Sequence, residues 1–150
     1  MSIPARAHNF GTYFVTTSCA ERRRVFQVDR NAKLLVETIL HYRGHFLLHA
    51  YVVMPDHVHL ILTPQNVTLE RAMQYIKGGF SHRYNAEKNV KSVLWQKGYT
   101  DHRIRDAKDY EVRKRYIEQN PVVRGMTGSS GEFEYSSANG RVAMDDYLSG

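Results

Sequence analysis

The sequence predicts an α+β fold with ferredoxin-like, or RRM-like, topology. This is an antiparallel four-stranded sheet with two helices on one face and a third, tyrosine-bearing helix on the other. Strand-like and helix-like apolar patterns alternate in the order β-α-β-β-α-β before a final helix. A length of 150 residues, 42% hydrophobic and 24% charged, suits one globular domain. We expect a single domain over residues 1–150, with a tail from about residue 125 in which the sequence offers little pattern.

The first part of the chain predicts a strand and a helix. Residues 10–19 (FGTYFVTTSC) are rich in aromatic and β-branched side chains, which favours a strand. Arg22–Arg24 follow in a loop, and Asp29 is placed to cap a helix that begins near Arg30 and ends at Gly44. The helical spacing predicts a buried stripe made of Ala32, Leu35, Val36, Ile39 and Leu40.

A hairpin follows, with strands at residues 45–54 and 57–63. Pro55 and Asp56 between them are residue types that favour a tight turn. Because strand side chains alternate between faces, His57 and His59 project side by side from one face, at a spacing suited to one divalent metal. An isolated His-x-His pair is nevertheless more often structural than metal-binding. The other face carries Val58, Leu60 and Leu62, which we expect to pack on the two helices.

The next segment predicts a second helix and a fourth strand. Thr68 is placed to cap the helix, and Gly78-Gly79 in its middle suggests close approach of another backbone or a ligand. Residues 95–105 form the fourth extended stretch. The apolar stripe of the helix is expected to be Leu69, Ala72, Met73, Ile76 and Phe80.

The third helix is predicted over residues 109–120. Val112, Tyr116 and Asn120 are spaced by four and so line one face, and Pro121 is expected to end the helix. If this face docks over the free face of the sheet, two imidazoles, an amide oxygen and a phenol converge. Such a mixed nitrogen and oxygen set suits Mg²⁺ or Mn²⁺.

Charge favours a polyanionic partner. The chain has a net charge of +6. Residues 125–150 contain Arg141 against four carboxylates, a net charge of −3, so residues 1–124 carry +9. A basic body attracts nucleic acid. Phosphate or base contacts are expected among Lys77, Lys97, His102, Arg103 and Arg105, although each could equally be a solvated charge.

Other classes of protein are disfavoured. With one cysteine, Cys19, neither a disulfide framework nor a cysteine-rich zinc site can form within the chain. Cys19 itself is expected to be a buried apolar residue rather than a catalytic thiol. No apolar run is long enough to span a bilayer and no signal sequence is evident, so we expect a cytoplasmic protein.

Two motifs resemble the signatures of a known enzyme family. Residues 54–61 (MPDHVHLI) and 116–122 (YIEQNPV) resemble those of the Y1 transposases of the IS200/IS605 class, which are HUH single-strand endonucleases. Three further stretches, at residues 73–81, 95–105 and 135–138, resemble the REP-associated tyrosine transposases. The resemblance covers roughly residues 8–138. The segment 125–131 departs from the family pattern, and the last dozen residues match nothing in it.

The resemblance implies a mechanism and a site. It implies that His57 and His59 bind a divalent metal, Mg²⁺ or Mn²⁺, and that Tyr116 is the nucleophile. Asn120 stands where the family has a third ligand, which is Gln in many relatives. The metal would polarise the scissile phosphate, and the tyrosine would form a 5′-phosphotyrosine link that leaves a free 3′-hydroxyl. Strand transfer from this intermediate needs no ATP.

The resemblance also implies partners. The substrate would be single-stranded DNA near the foot of an imperfect hairpin, in repeated palindromic elements of a bacterial nucleoid, with a flanking tetranucleotide read by the protein. A monomer that uses its tyrosine in cis is favoured over a homodimer.

Two readings from other classes stay open on the residues alone. The same strand order occurs in non-catalytic RRM-like modules, which stack single-stranded nucleic acid on the free face of the sheet. Here that face is expected to carry histidines rather than paired aromatic residues. A structural zinc protein is the third reading, which the lack of cysteines disfavours.

Overall fold

The computed structural model of the chain describes residues 11–147. Within them lie one antiparallel four-stranded sheet and three α-helices, which confirms the predicted fold class. Phe10, at the start of the first predicted strand, lies outside the described residues. The strands are β1 (Tyr13–Ser18), β2 (Phe46–Met54), β3 (His57–Pro64) and β4 (Thr100–Arg103), and the helices are α1 (Asp29–His41), α2 (Leu69–Lys88) and α3 (Ala107–Val123).

The sheet has the strand order β2-β3-β1-β4, with every neighbouring pair antiparallel. β1 and β3 are therefore the central strands. Two residues join β2 to β3, so the predicted tight turn at Pro55-Asp56 is confirmed. In the register of β1 with β3, His59 lies opposite Thr16 and His57 lies opposite Ser18. The two histidines thus sit in the middle of the sheet, at the end where the hairpin turns.

Helices α1 and α2 cover one face of the sheet and form the larger core. Val58, Leu60 and Leu62 are fully buried there, as their alternation in the sequence predicts. The predicted stripe of α2 is wholly buried, whereas Val36 and Leu40 of α1 are partly buried at its margin. Burying such aliphatic side chains stabilises a fold by about 1.5 to 3 kcal/mol each.

One of the two predicted caps is confirmed. The Thr68 hydroxyl accepts a hydrogen bond of 3.0 Å from the backbone N–H of Arg71, which closes the first turn of α2. For α1 the prediction is wrong by one residue. Val28 occupies the cap position without a side-chain hydrogen bond, and Asp29 is the first helical residue. A carboxylate there still favours the helix, because it faces the positive end of the helix dipole.

The glycine pair in α2 marks a close approach, but to a side chain. A Cβ atom at Gly79 would lie 2.7 Å from Cε2 of Tyr42, which follows the end of α1. Gly78 has nothing within 4 Å of that position. The expected backbone or ligand is therefore replaced by an aromatic ring between the two helices.

Helix α3 covers the opposite face, as predicted, and forms a second core with it. Its end differs from the prediction, since the helix continues through Pro121 to Val123. A proline near the C-terminus of a helix removes one hydrogen bond, and the turn is held by those that remain. The backbone N–H of Arg124 donates to Asn120 over 3.1 Å, and that of Met126 to Pro121 over 2.8 Å. The second core comprises Phe14, Ala50, Val52, Met54, Ile61, Ile104, Tyr110, Ile117 and Phe133.

The C-terminal segment, residues 133–147, runs along the outer edge of β2. Val53 donates its backbone N–H to Tyr135 over 2.8 Å, and Tyr51 donates to the Ser137 hydroxyl over 2.9 Å. Further along, Asp145 donates to the carbonyl of Leu48 over 2.8 Å. This segment therefore satisfies backbone groups that an edge strand would otherwise expose. No helix in residues 11–147 is long and apolar enough to cross a membrane.

Candidate active site

His57 and His59 lie next to one another on the face that α3 covers. Their ring centroids are 4.7 Å apart, and both side chains are buried. Nδ1–H of His57 donates to Asp56 Oδ1 over 2.7 Å, and Nδ1 of His59 shares a hydrogen bond of 2.8 Å with the Thr16 hydroxyl. Since Nδ1 of each ring is engaged, the ring orientations are fixed and Nε2 is the atom left for another partner.

Both imidazoles are held neutral at physiological pH. Burial lowers the pKa of His57 below its ordinary value, although the hydrogen bond to Asp56 raises it part of the way back. Burial, reinforced by nearby His57 and by the positive charge of Arg124, lowers the pKa of His59 to about 3. A neutral imidazole is the form that binds a metal ion.

Tyr116 and Asn120 approach this pair from α3. The approach is seen at Tyr116, whose ring stands edge-on to His59 with centroids 5.3 Å apart and edge-on to Phe14 at 5.9 Å. Its side chain is half-exposed, so the phenol is accessible from solvent. Asn120, one helical turn later, is buried. Val112, which the spacing of four placed on the same face, is exposed.

Two buried polar atoms in this region have no hydrogen-bond partner: Nε2 of His59 and Oδ1 of Asn120. Leaving such an atom unpaired costs about 1 to 3 kcal/mol. A divalent cation would accept electron pairs from both, so the residues present fit the metal that the sequence predicts. Two imidazoles and one amide oxygen leave coordination positions for water and phosphate oxygens. Nowhere in residues 11–147 do three His, Cys, Asp or Glu side chains form a metal-binding group, so the amide is needed to complete this set.

The arrangement agrees with comparisons to known proteins. The family described as "Transposase IS200 like" matches residues 9–120, a span that contains both histidines, Tyr116 and Asn120. The chain belongs to this family, the Y1 transposases. The REP-associated tyrosine transposase of Escherichia coli K12 is 31% identical over 140 residues, which cover 91% of this chain and 82% of the relative. The chain is thus an enzyme of the tyrosine transposase class.

A solved structure supports the same family at the level of the fold. It is described as "Structure of the REP associates tyrosine transposase bound to a REP hairpin". It matches this chain with a TM-score of 0.74 and 27% identity, over 95% of this chain and 92% of its own. The match therefore extends beyond the family segment and into the C-terminal segment.

The five predicted DNA contacts of the transposase differ in their surroundings. The ammonium group of Lys77 donates to the carbonyls of Gln96 and Gly98, over 3.1 and 2.6 Å, and so braces the loop before β4. Lys97 in that loop, and Arg103 at the end of β4, are exposed. Their role in binding DNA stays a prediction.

His102 and Arg105 are both attached to Asp109 at the start of α3. Nε2–H of His102 donates to Asp109 Oδ2 over 2.8 Å, and the backbone N–H of Arg105 donates to the same oxygen over 2.9 Å. The Arg105 side chain is 77% exposed, and its guanidinium lies 3.6 Å from the carboxylate. These contacts tie β4 to the helix that carries Tyr116. A DNA contact by either side chain likewise stays a prediction.

Arg124 is a residue near the site that the sequence analysis missed. It lies at the C-terminal cap of α3, is exposed, and its positive charge lowers the pKa of both His57 and His59. The signal was present, because Arg124 lies four residues after Asn120 just as Asn120 lies four after Tyr116. The expectation that Pro121 would end the helix concealed it.

The structure bears on the expected role of Cys19 and on the RRM-like alternative. Cys19 is buried in the larger core and burial raises the pKa of its thiol to about 11, as expected for an apolar role. The RRM-like alternative needs a free sheet face on which bases can stack. Helix α3 covers that face, and Phe14 and Ile61 on it are buried.

Proposed function

We propose that this Y1 transposase is a metal-dependent single-stranded DNA endonuclease and strand transferase that acts through a 5′-phosphotyrosine at Tyr116. One observation carries the proposal. A solvent-accessible tyrosine ring stands 5.3 Å from His59, in a region where His59 and Asn120 each keep a buried polar atom without a partner. The proposed nucleophile and the proposed metal-binding histidines come from two separate parts of the chain.

His57, His59 and Asn120 would hold Mg²⁺ or Mn²⁺. Bound there, the cation would withdraw electron density from the scissile phosphate and offset the charge that develops on it. The protein's own contribution is orientation, since Asp56 and Thr16 fix the two rings through their Nδ1 atoms. Arg124, whose positive charge acts on both imidazoles, is placed to attract the same phosphate.

Tyr116 would attack the phosphorus in line with the bond to the 3′-oxygen. The new bond joins the phenolic oxygen to the 5′-phosphate, and the bond to the departing 3′-oxygen breaks, which leaves a 3′-hydroxyl. The 3′-hydroxyl of another strand can then attack the phosphotyrosine and release the tyrosine. Because the link keeps the energy of the phosphodiester bond, transfer needs no ATP.

The substrate we propose is single-stranded DNA at the foot of a hairpin in repeated palindromic elements. Two observations support it: the +9 charge of residues 1–124, and the likeness to a transposase whose solved structure is described as bound to a REP hairpin. The place of action would then be the bacterial nucleoid. We propose that residues 1–150 act as one catalytic domain, because the C-terminal segment packs on the same sheet that carries the histidines.

We propose that the enzyme works as a monomer with its tyrosine in cis. In a single chain, α3 already covers the face of the sheet that bears the histidines, so no exchange of helices between copies is needed. Light scattering at micromolar concentration should give the mass of one chain. A stable dimer under those conditions would contradict this proposal.

The test of the chemistry is covalent capture of DNA. A labelled hairpin oligonucleotide is incubated with the protein and Mg²⁺ or Mn²⁺, and protein-linked DNA is measured on a denaturing gel. Tyr116→Phe should form no adduct but still bind the oligonucleotide, because the substitution removes one half-exposed oxygen. Tyr75→Phe, on α2 across the sheet, is the matched control and should form the adduct normally.

Removing the proposed ligands should have the same effect as removing the nucleophile. Adduct formation should be abolished by His57→Ala, by His59→Ala and by treatment of the parent protein with EDTA. Added Mn²⁺ should restore the adduct in the EDTA-treated parent protein but not in either variant. An adduct formed by Tyr116→Phe would show that another residue is the nucleophile. No adduct from the parent protein on any single-stranded palindrome would overturn the proposed function.

A further inference from the structure

We infer that a pocket beside the histidine pair binds one unpaired base of the DNA strand, next to the scissile phosphate. The inference rests on the proposed function. The pocket has a volume of about 190 Å³ and lies between the end of β1 and the loop that leads into β4. It is lined chiefly by Thr16, Ser18, Gln96, Lys97, Tyr99 and Thr100.

The position of the pocket connects it with the proposed chemistry. Thr16 lines the pocket and also holds Nδ1 of His59 over 2.8 Å. In the register of the sheet, Thr16 lies opposite His59 on one side and Thr100 on the other. Because adjacent strands are about 4.8 Å apart, the pocket begins one strand away from the histidines. A nucleotide whose phosphate lies at the histidines could therefore place a neighbouring base there.

The lining has the chemistry of a base-binding site. The Ser18 and Thr100 hydroxyls can donate and accept hydrogen bonds, and the exposed Gln96 amide offers one acceptor and two donors. Unpaired bases are read through such groups on their exposed edges. Lys97 is exposed at this site and adds a positive charge that can contact the phosphate backbone.

Two other pockets on the described part of the chain are less suited to DNA. One pairs Glu37 and Glu134 with Lys33 and Arg141, and the other pairs Asp29 with Arg24, so neither offers a net positive charge to a polyanion. None of the residues that line the pocket at β4 is acidic. Lys97 gives the pocket at β4 a net positive charge, which attracts a polyanion, so this pocket is the one we assign to a nucleotide.

The loop before β4, which forms one wall of the pocket, is held by hydrogen bonds to α2. Lys77 donates to the carbonyls of Gln96 and Gly98, and the indole N–H of Trp95 donates to the carbonyl of Lys77 over 3.0 Å. Gln96 also donates its backbone N–H to Ser18 over 2.9 Å. Gly98 has a φ of 78°, which few other residues adopt without strain. A wall held in this way loses little freedom when a ligand binds.

The volume of the pocket suits a small ligand. Pockets that enclose drug-sized molecules measure roughly 300 to 1,000 Å³, so a pocket of about 190 Å³ is small for such a molecule and suits a single planar base. An unpaired base can enter such a pocket, which agrees with the proposed cleavage site in single-stranded DNA beside a hairpin.

The test is an abasic scan of the flanking strand. Tyr116→Phe protein, which keeps the DNA intact, is titrated with hairpin oligonucleotides that lack one base at successive flanking positions, and affinity is measured by fluorescence anisotropy. Loss of the base that enters the pocket should weaken binding about tenfold. In the double variants Gln96→Ala with Tyr116→Phe, and Thr100→Phe with Tyr116→Phe, the same abasic site should have no effect.

Gln74→Ala with Tyr116→Phe removes an exposed glutamine on α2 and serves as the matched control, which should keep the full sensitivity. The inference is overturned if no flanking position is sensitive, or if the sensitivity survives in both pocket variants. Either result is compatible with an intact parent enzyme that still forms the covalent adduct. Absence of the adduct in the parent protein is a separate result, which contradicts the proposed function instead.

Discussion

At the scale of single residues, Asp56 connects the hairpin turn to the candidate metal site. Its Oδ1 accepts from His57 and its Oδ2 accepts from Arg22 over 3.0 Å. Carboxylates that support a metal-binding histidine raise its affinity by roughly 10- to 100-fold. Asp56→Ala should therefore weaken Mn²⁺ binding by about that factor, measured by isothermal titration calorimetry.

Arg22→Ala provides the comparison for this prediction. The Arg22 side chain is 55% exposed, and such a surface ion pair is worth only about 0 to 1 kcal/mol. The loss of Mn²⁺ affinity should therefore be less than about tenfold. Parent-like affinity in Asp56→Ala would show that His57 needs no support from the carboxylate.

Asp109 is the second residue for which we predict an effect, here on the pH dependence of stability. Burial raises its pKa, but hydrogen bonds from the Arg105 backbone and from His102 outweigh this and lower the pKa from 3.8 to about 2. Because the pKa is depressed in the folded state, the carboxylate stabilises the fold fully above about pH 4, and this contribution is lost as the pH falls from about 4 to about 2.

Asp109→Asn should lower the free energy of unfolding at neutral pH by about 1 to 3 kcal/mol. The difference from the parent should shrink as the pH falls through that window. Urea unfolding at a series of pH values measures it, and Asp101→Asn, at an exposed carboxylate on β4, controls for the loss of one charge. A difference that does not depend on pH would rule out this role for Asp109.

At the scale of elements, the glycine pair of α2 allows a matched test of helix packing. Gly78→Ala should raise the free energy of unfolding by about 0.5 to 1 kcal/mol, because alanine favours a helix and nothing lies within 4 Å of its Cβ. Gly79→Ala should lower it by about 1 to 3 kcal/mol. Its Cβ would lie 2.7 Å from the Tyr42 ring, which is itself stacked on Tyr75 at 5.1 Å. Thermal and urea unfolding of both variants measure these changes. A change of the same sign in both variants would contradict the prediction.

Most elements were predictable from local periodicity. The alternation around His57 and the stripe of α2 follow from spacing alone, because each element buries one face. The end of α3 was not predictable in this way. The preference against helix before proline is a local tendency, and burial of Pro121 and Asn120 against the rest of the protein outweighs it.

Local sequence patterns also could not show which residues come together at the candidate active site. Residue types and spacing place His57, His59, Tyr116 and Asn120 on suitable faces, but only the docking of α3 brings Tyr116 to His59. Thr16 illustrates the point, since no motif marks it and it becomes relevant through the pairing of β1 with β3. Its contribution depends on a contact 43 residues away in the chain.

At the scale of the whole molecule, the C-terminal segment protects the edge of the sheet. Removal of residues 134–150 would leave the backbone groups of Leu48, Tyr51 and Val53 without their partners. The truncated protein should melt at a lower temperature and self-associate, because an exposed edge strand pairs readily with other chains. Differential scanning calorimetry and light scattering measure the two effects.

Ser137→Ala is the milder control for the truncation. It removes the hydroxyl that accepts from the Tyr51 N–H, at a cost of about 1 to 3 kcal/mol, but leaves the rest of the segment in place. This variant should be destabilised yet remain monomeric. A truncated protein that is as stable and monomeric as the parent would show that the edge of β2 needs no cover.

The separation of the histidine hairpin from α3 also has a consequence during protein synthesis. The ribosome makes His57 and His59 long before Tyr116, and β4 and α3 are the last strand and the last α-helix to emerge within the described chain. A product that ends between residues 60 and 106, whether by early termination or by proteolysis, contains the two proposed histidine ligands but lacks both Asn120, the third proposed ligand, and the proposed nucleophile. Incomplete chains of this enzyme would therefore be unable to cut the genome that encodes them.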